Sequence, residues 1–157
     1  AEDSGAEAVL LTCSAYSPAV PELQRGARVP IVSADEAMLR GALGYGTRIG
    51  IVATVAAAGP TTAALLQNLA AESGRKIFTE VAVVIEAFAA LKAGNGERHD
   101  ALVREQIAAL VPRVDAVVLA QISMARATVG VPAWSKPVLT SPEASVRAVL
   151  ARLNQVA

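Results

Sequence analysis

The chain has 157 residues, its fourteen basic side chains balanced by fourteen acidic ones, with hydrophobic residues at 54% and aromatic ones at only 3%. No run of like charge offers a footprint for a polyanion, so neither nucleic acid nor an anionic membrane surface is an expected partner. Apolar stretches break off within about ten residues, short of the roughly 20 that span a bilayer, and the core must be built from Ala, Val, Leu and Ile.

Apolar, β-branched runs alternate with helical stretches, the pattern of a parallel sheet covered by helices. Strands are expected at 8–12, 29–32, 48–53, 76–85 and 116–120, with a short one at 138–139. The opening Ala1 to Glu7 lacks the basic and apolar regions of a signal peptide and reads as the tail of a helix, which implies sequence upstream. Ser33 or Asp35 can cap a helix over 36–43, ended by Gly44 and Gly46. Pro60-Thr61-Thr62 starts a second helix through Leu65, Leu66 and Leu69 to a stop at Gly74. Over 97–111, Leu102, Ile107 and Leu110 share an apolar side. Ser141-Pro142-Glu143 opens the last helix, with Val146, Val149 and Leu150 inward. The three glycines in 41–46 suggest a hinge, and Gly130, Pro132 and Pro137 mark a crossover loop.

Gly44, Gly46 and Gly50 precede a strand, whereas a dinucleotide fingerprint must follow one, so nucleotide binding is not expected. Cys13 is the only thiol and His99 the only His. No internal disulfide can form, no metal-ligand spacing exists, and a reducing, cytoplasmic setting fits best. His99 reads as part of a solvated helix start. Trp134 could cover a cleft or pack at a subunit contact.

In a parallel α/β sheet, ligands bind beyond the carboxyl ends of the strands. Cys13 stands there, flanked by Thr12 and Ser14 and just ahead of a helix start whose amides favour thiolate character. The bland alternative is a packed Cys behaving as a small hydrophobe. Thr54 closes the strand at 48–53 in the same way, and Gln121 and Ser123 close the one at 116–120. For these three the alternatives are a helix cap or a solvated turn.

Taken in order, Leu11-Thr12-Cys13-Ser14, Gly50-Ile51-Val52-Ala53-Thr54, Asp115-Ala116-Val117-Val118-Leu119-Ala120-Gln121 and Val138-Leu139-Thr140-Ser141-Pro142-Glu143 resemble the aspartate/glutamate/hydantoin racemase superfamily. The resemblance implies two pseudo-symmetric flavodoxin-like α/β domains with the site between them and no cofactor. On this reading 1–46 and 138–157 belong to a first, incomplete domain and 47–137 to the second, and the chain covers the last two-thirds to three-quarters of a typical member. In the superfamily's racemases two Cys residues exchange a proton across the substrate. Cys13 matches the first, but Gln121 stands where the second is expected, and an amide cannot exchange protons near neutral pH. The superfamily's arylmalonate decarboxylases keep one Cys at the position matching Gln121, with Gly at the position matching Cys13, the mirror of this chain. They also carry a Tyr near Thr54, where Ala56 stands here.

The expected substrate is therefore a small carboxylic or amino acid, bound by Thr12, Ser14, Thr54, Gln121 and Ser123, with Cys13 as the catalytic group, no metal, and association of like subunits. A racemase-like isomerase, a single-Cys lyase and a non-catalytic carboxylate-binding module all answer to that description.

Overall fold

The computed structural model describes residues 1–156. All strand pairs are parallel and fall into two sheets. The smaller holds β1 (Val9–Leu11) and β2 (Ile31–Ser33). The larger holds β3 (Arg48–Ala53), β4 (Phe78–Val83), β5 (Ala116–Leu119) and β6 (Val138–Leu139), in the order β4-β3-β5-β6. Helices α1 (Val20–Gly26), α2 (Glu36–Ala42), α3 (Ala58–Glu72), α4 (Ile85–Lys92), α5 (Gly96–Leu110) and α6 (Ser141–Val156) occupy the connections. Among the described residues no helix is long and apolar enough to cross a membrane.

The burial pattern explains the strand order. All of β5, and β3 beyond Arg48, are buried, as central strands of a sheet covered on both faces must be. On β4 exposed positions recur, which is what an edge strand tolerates. The two-residue alternation splits the core in two. Ile49, Ile51, Ala53, Ala116 and Val118 pack against Met38, Leu39 and Ala42 of α2 and Leu66, Leu69 and Ala70 of α3. Val52, Val117 and Leu119 face the other way, onto Ala87 of α4 and Val103, Ile107 and Leu110 of α5. Each such aliphatic side chain contributes about 1.5 to 3 kcal/mol by leaving water.

Asp115, just before β5, fixes how the two central strands begin. Its Oδ2 accepts from the amides of Thr47 (2.8 Å) and Arg48 (2.9 Å). Those backbone bonds, Arg48 first, hold its carboxyl below the ordinary value. Gly46 is required beside it, because a Cβ there would lie 2.2 Å from that same oxygen.

Several local expectations are corrected. The opening segment is a single 3₁₀ turn at Glu2–Ser4, not a helix tail, because the Glu2 carboxylate is drawn to the Arg28 amide and guanidinium. Asp35 occupies the cap position of α2 but makes no side-chain cap; its carboxyl is directed inward instead. Helix α3 begins at Ala58, two residues before Pro60. Ile85, expected to end a strand, opens α4.

On α6 the inner face is not Val146 and Leu150, which are 53% and 54% exposed, but Ser141 and Ser145, with Ala144 against the core. Small residues there let the helix lie close to its neighbours. His99 is fully buried rather than solvated, because it stands four residues before Val103 on the inward face of α5. Its Nδ1 lies 2.8 Å from Asp100 Oδ1, while Asp100 Oδ2 accepts from Arg126 (3.0 Å). Trp134 is half-buried and packs against the core cluster that includes Val117 and Leu119.

Residues 138–139 pair with β5 and so lie in the larger sheet, whereas α6 immediately after them packs on α2, β2 and β1. The chain thus crosses back to the smaller sheet after Leu139.

Candidate functional site

The carboxyl ends of β1, β3 and β5 converge on one concavity of about 260 Å³. Its polar lining comes from Thr12, Cys13, Ser14, Thr61 and Gln121, and its apolar lining includes Val55 and Ile122. No charged side chain lines it.

Cys13 lies just past β1 in extended backbone (φ −108°, ψ 115°) and forms the N-cap of a 3₁₀ segment, Ser14–Ala19. Its carbonyl accepts from the Tyr16 amide (3.0 Å), which fixes the turn, and its side chain is exposed. The thiol is therefore open to solvent and not sunk in packed hydrocarbon. Ser14, next in sequence, is buried, and its hydroxyl donates to the carbonyl of Ala120 (2.7 Å). This bond ties the Cys13 turn to the end of β5. It also leaves the lone pairs of Ser14 Oγ, not its proton, for other partners.

Gln121 follows Ala120 and makes two hydrogen bonds to Thr54 at the end of β3. Its Oε1 accepts from the Thr54 amide (2.9 Å), and its Nε2 donates to Thr54 Oγ1 (3.0 Å). Thr54 is only 2% exposed and stands behind Gln121 as seen from the cavity. The amide thus acts as a strap between the two central strands just where they stop pairing. One Nε2 proton remains unused by Thr54.

Of the residues singled out from sequence, Thr12, Cys13, Ser14 and Gln121 share the cavity wall, Thr54 is bonded to it from behind, and Ser123 lies outside it on an exposed turn. Thr61, Val55 and Ile122 were missed by sequence reasoning. Thr61 had a signal: it falls in the first turn of the helix that follows β3. Its hydroxyl donates back to Ala57 O (2.8 Å), so it presents lone pairs and a methyl group inward. Helix α3 starts at the cavity wall, and at fifteen residues it brings the positive end of its dipole there.

The site can therefore present one accessible thiol in a neutral, largely apolar pocket, beside amide donors and a helix N-terminus. An anionic intermediate is the species that such a setting favours. The architecture is that of a flavodoxin-like α/β protein with parallel sheets flanked by helices, its cavity at the carboxyl ends of the strands. The sequence matches the Asp/Glu/Hydantoin racemase family over residues 1–149, and the chain belongs to that family.

Solved structures show the same fold at low identity. Against the allantoin racemase from Klebsiella pneumoniae the TM-score is 0.70 at 21% identity, with 99% of this chain and 62% of that one covered. An aspartate racemase homologue from Pyrococcus horikoshii gives 0.69 at 20% identity, covering 98% and 69%. The glutamate racemase isoform RacE1 from Bacillus anthracis gives 0.65 at 13% identity, covering 96% and 59%. The chain thus spans 59% of the glutamate racemase and 62% of the allantoin racemase, below the two-thirds to three-quarters expected, and 69% of the aspartate racemase homologue, within it. No curated protein matches the sequence.

Proposed function

We propose that this chain carries the reactive part of a cofactor-independent, racemase-like isomerase acting at the carbon next to a carboxylate of a small amino or dicarboxylic acid, with Cys13 as its single proton carrier. The observation that carries this reading is the exposed Cys13 thiol sharing a wall with Gln121, whose amide is committed to Thr54.

In this mechanism the Cys13 thiolate takes the α-proton, forming an S–H bond as the C–H electrons move into an enediolate. The amides at the start of the 3₁₀ turn, the free Nε2 proton of Gln121 and the positive end of α3 stabilise that charge. Removing one donor of this kind costs about 3 kcal/mol in the transition state. Return of the proton from Cys13 restores the original configuration. Inversion requires delivery to the opposite face, from solvent or from a group outside the described residues. In this scheme the two domains, 1–46 with the helix after Leu139 and 47–139, would close over the substrate, and like subunits would associate.

One observation favours a second reading. Gln121 is held by Thr54 and its amide gives up no proton near neutral pH, so only one face of an enediolate meets an acid in this wall. A lyase needs no more than that: loss of CO2 from a malonate-type substrate leaves the enediolate, and Cys13 S–H protonates it once.

Incubation with amino acids, dicarboxylic acids and substituted malonates in deuterated water separates these cases. Solvent deuterium in both enantiomers supports the isomerase, and gas release with deuterium on one face supports the lyase. Tight carboxylate binding without exchange would instead indicate a binding module. Cys13→Ala should lower turnover by about 10²-fold or more, the usual worth of a positioned proton carrier; full turnover in that variant would end both enzyme readings.

A further inference from the structure

Beneath the Cys13 turn lies a closed ring of buried hydrogen bonds that the chemistry above does not use. The amide of Asp35 donates to Ser33 Oγ (3.2 Å), the Ser33 hydroxyl donates to Ser17 Oγ (2.9 Å), and the Ser17 hydroxyl donates to Asp35 Oδ2 (3.0 Å). All three residues are buried, Asp35 at 2% exposure. Ser17 belongs to the 3₁₀ segment that Cys13 caps. Ser14, at the start of the same segment, is tied separately to the end of β5 through Ala120 O.

One carboxyl is thereby wired to the segment that carries the thiol and to the end of β2. The 3₁₀ segment needs such anchoring. Its i→i+3 bonds are poorly aligned, and Pro18 within it supplies no amide proton. Cys13 is exposed, so its place in the cavity is set by the backbone it hangs from. Burying a carboxyl is costly unless its lone pairs are filled. An apolar residue would fill this space at lower cost, but it would leave the buried Ser17 hydroxyl without its acceptor.

We propose that Asp35 is a positioning residue that holds the Cys13 turn against the end of β2 through Ser17. The inference rests on Cys13 being the reactive group of this site, and its test does not depend on knowing the substrate. Cys13 is the only thiol, so its alkylation by iodoacetamide, followed by intact mass, reads one site.

Asp35→Ala and Ser17→Ala should change the alkylation rate of the folded protein by about threefold or more, the population shift expected from loss of one net hydrogen bond. Asp35→Asn keeps an acceptor for Ser17 and should restore a rate near that of the unaltered protein. Circular dichroism checks that each variant is folded, and Ser17→Ala carries the test if Asp35→Ala is not. Unchanged alkylation in a folded Asp35→Ala or Ser17→Ala variant would overturn the proposal, as would an Asn variant as altered as the Ala one. Full turnover in Cys13→Ala would remove the proposed chemistry without touching these alkylation rates.

Discussion

Replacing Gln121 by Ala removes both side-chain bonds between the ends of β3 and β5. The Thr54 amide and hydroxyl lose their partners at a residue only 2% exposed. A buried polar group left unpaired costs about 1 to 3 kcal/mol. Two such groups would approach twice that, but Gln121 is itself half-buried against the cavity, so water can enter the space left and satisfy part of the loss. The expected net destabilisation is therefore about 2 kcal/mol, which for a protein of this size lowers Tm by roughly 4 to 8 °C. Urea unfolding should show a lower midpoint with an unchanged m-value, because the surface exposed on unfolding is the same. Gln121→Glu is the control: one carboxylate oxygen accepts from the Thr54 amide and the other from its hydroxyl, so most of the stability should return. A loss below about 0.5 kcal/mol in the Ala variant, the range of an ordinary surface change, would refute the strap.

Three further outcomes follow from the same geometry. Burial raises the Asp35 carboxyl above its ordinary 3.8, against the lowering effect of Ser14 and Ser17, so the folded state holds that proton more tightly and ionisation costs stability as pH rises from about 3.8 through the raised value. Asp35→Asn should thus gain on the unaltered protein across that rise and lose the advantage below it, as urea midpoints against pH would show; an advantage that grows on acidification would contradict the sign. Gly46→Ala drives a methyl group into Asp115 and should cost about 1 to 3 kcal/mol by stripping the Thr47 and Arg48 amides of their acceptor, while Asp115→Asn, which keeps one acceptor oxygen, should cost less in the same denaturation assay. His99→Ala should cost about 2 to 4 kcal/mol by opening a cavity on the inner face of α5 and leaving Asp100 to Arg126 alone, whereas an unchanged melting temperature would mean that α5 is not held there.

The amino-acid order by itself determined the alternation of strands and helices, because two-residue and 3.6-residue periodicities are local properties of a chain that must bury one face. The spans 48–53 and 138–139 coincide with β3 and β6 for that reason. It also placed Cys13, Thr54 and Gln121 at strand ends, where a parallel sheet opens its crevice. Which polar groups meet was beyond its reach. Gln121 bonds Thr54 across 67 positions and Ser14 reaches Ala120 across 106, and such pairings follow from strand order and register, which no local pattern encodes. His99 and Asp35 belong with them. Each occupies a helix start, where polar residues usually meet water, and only the packing of α5 and of the Cys13 turn decided that both lie inside.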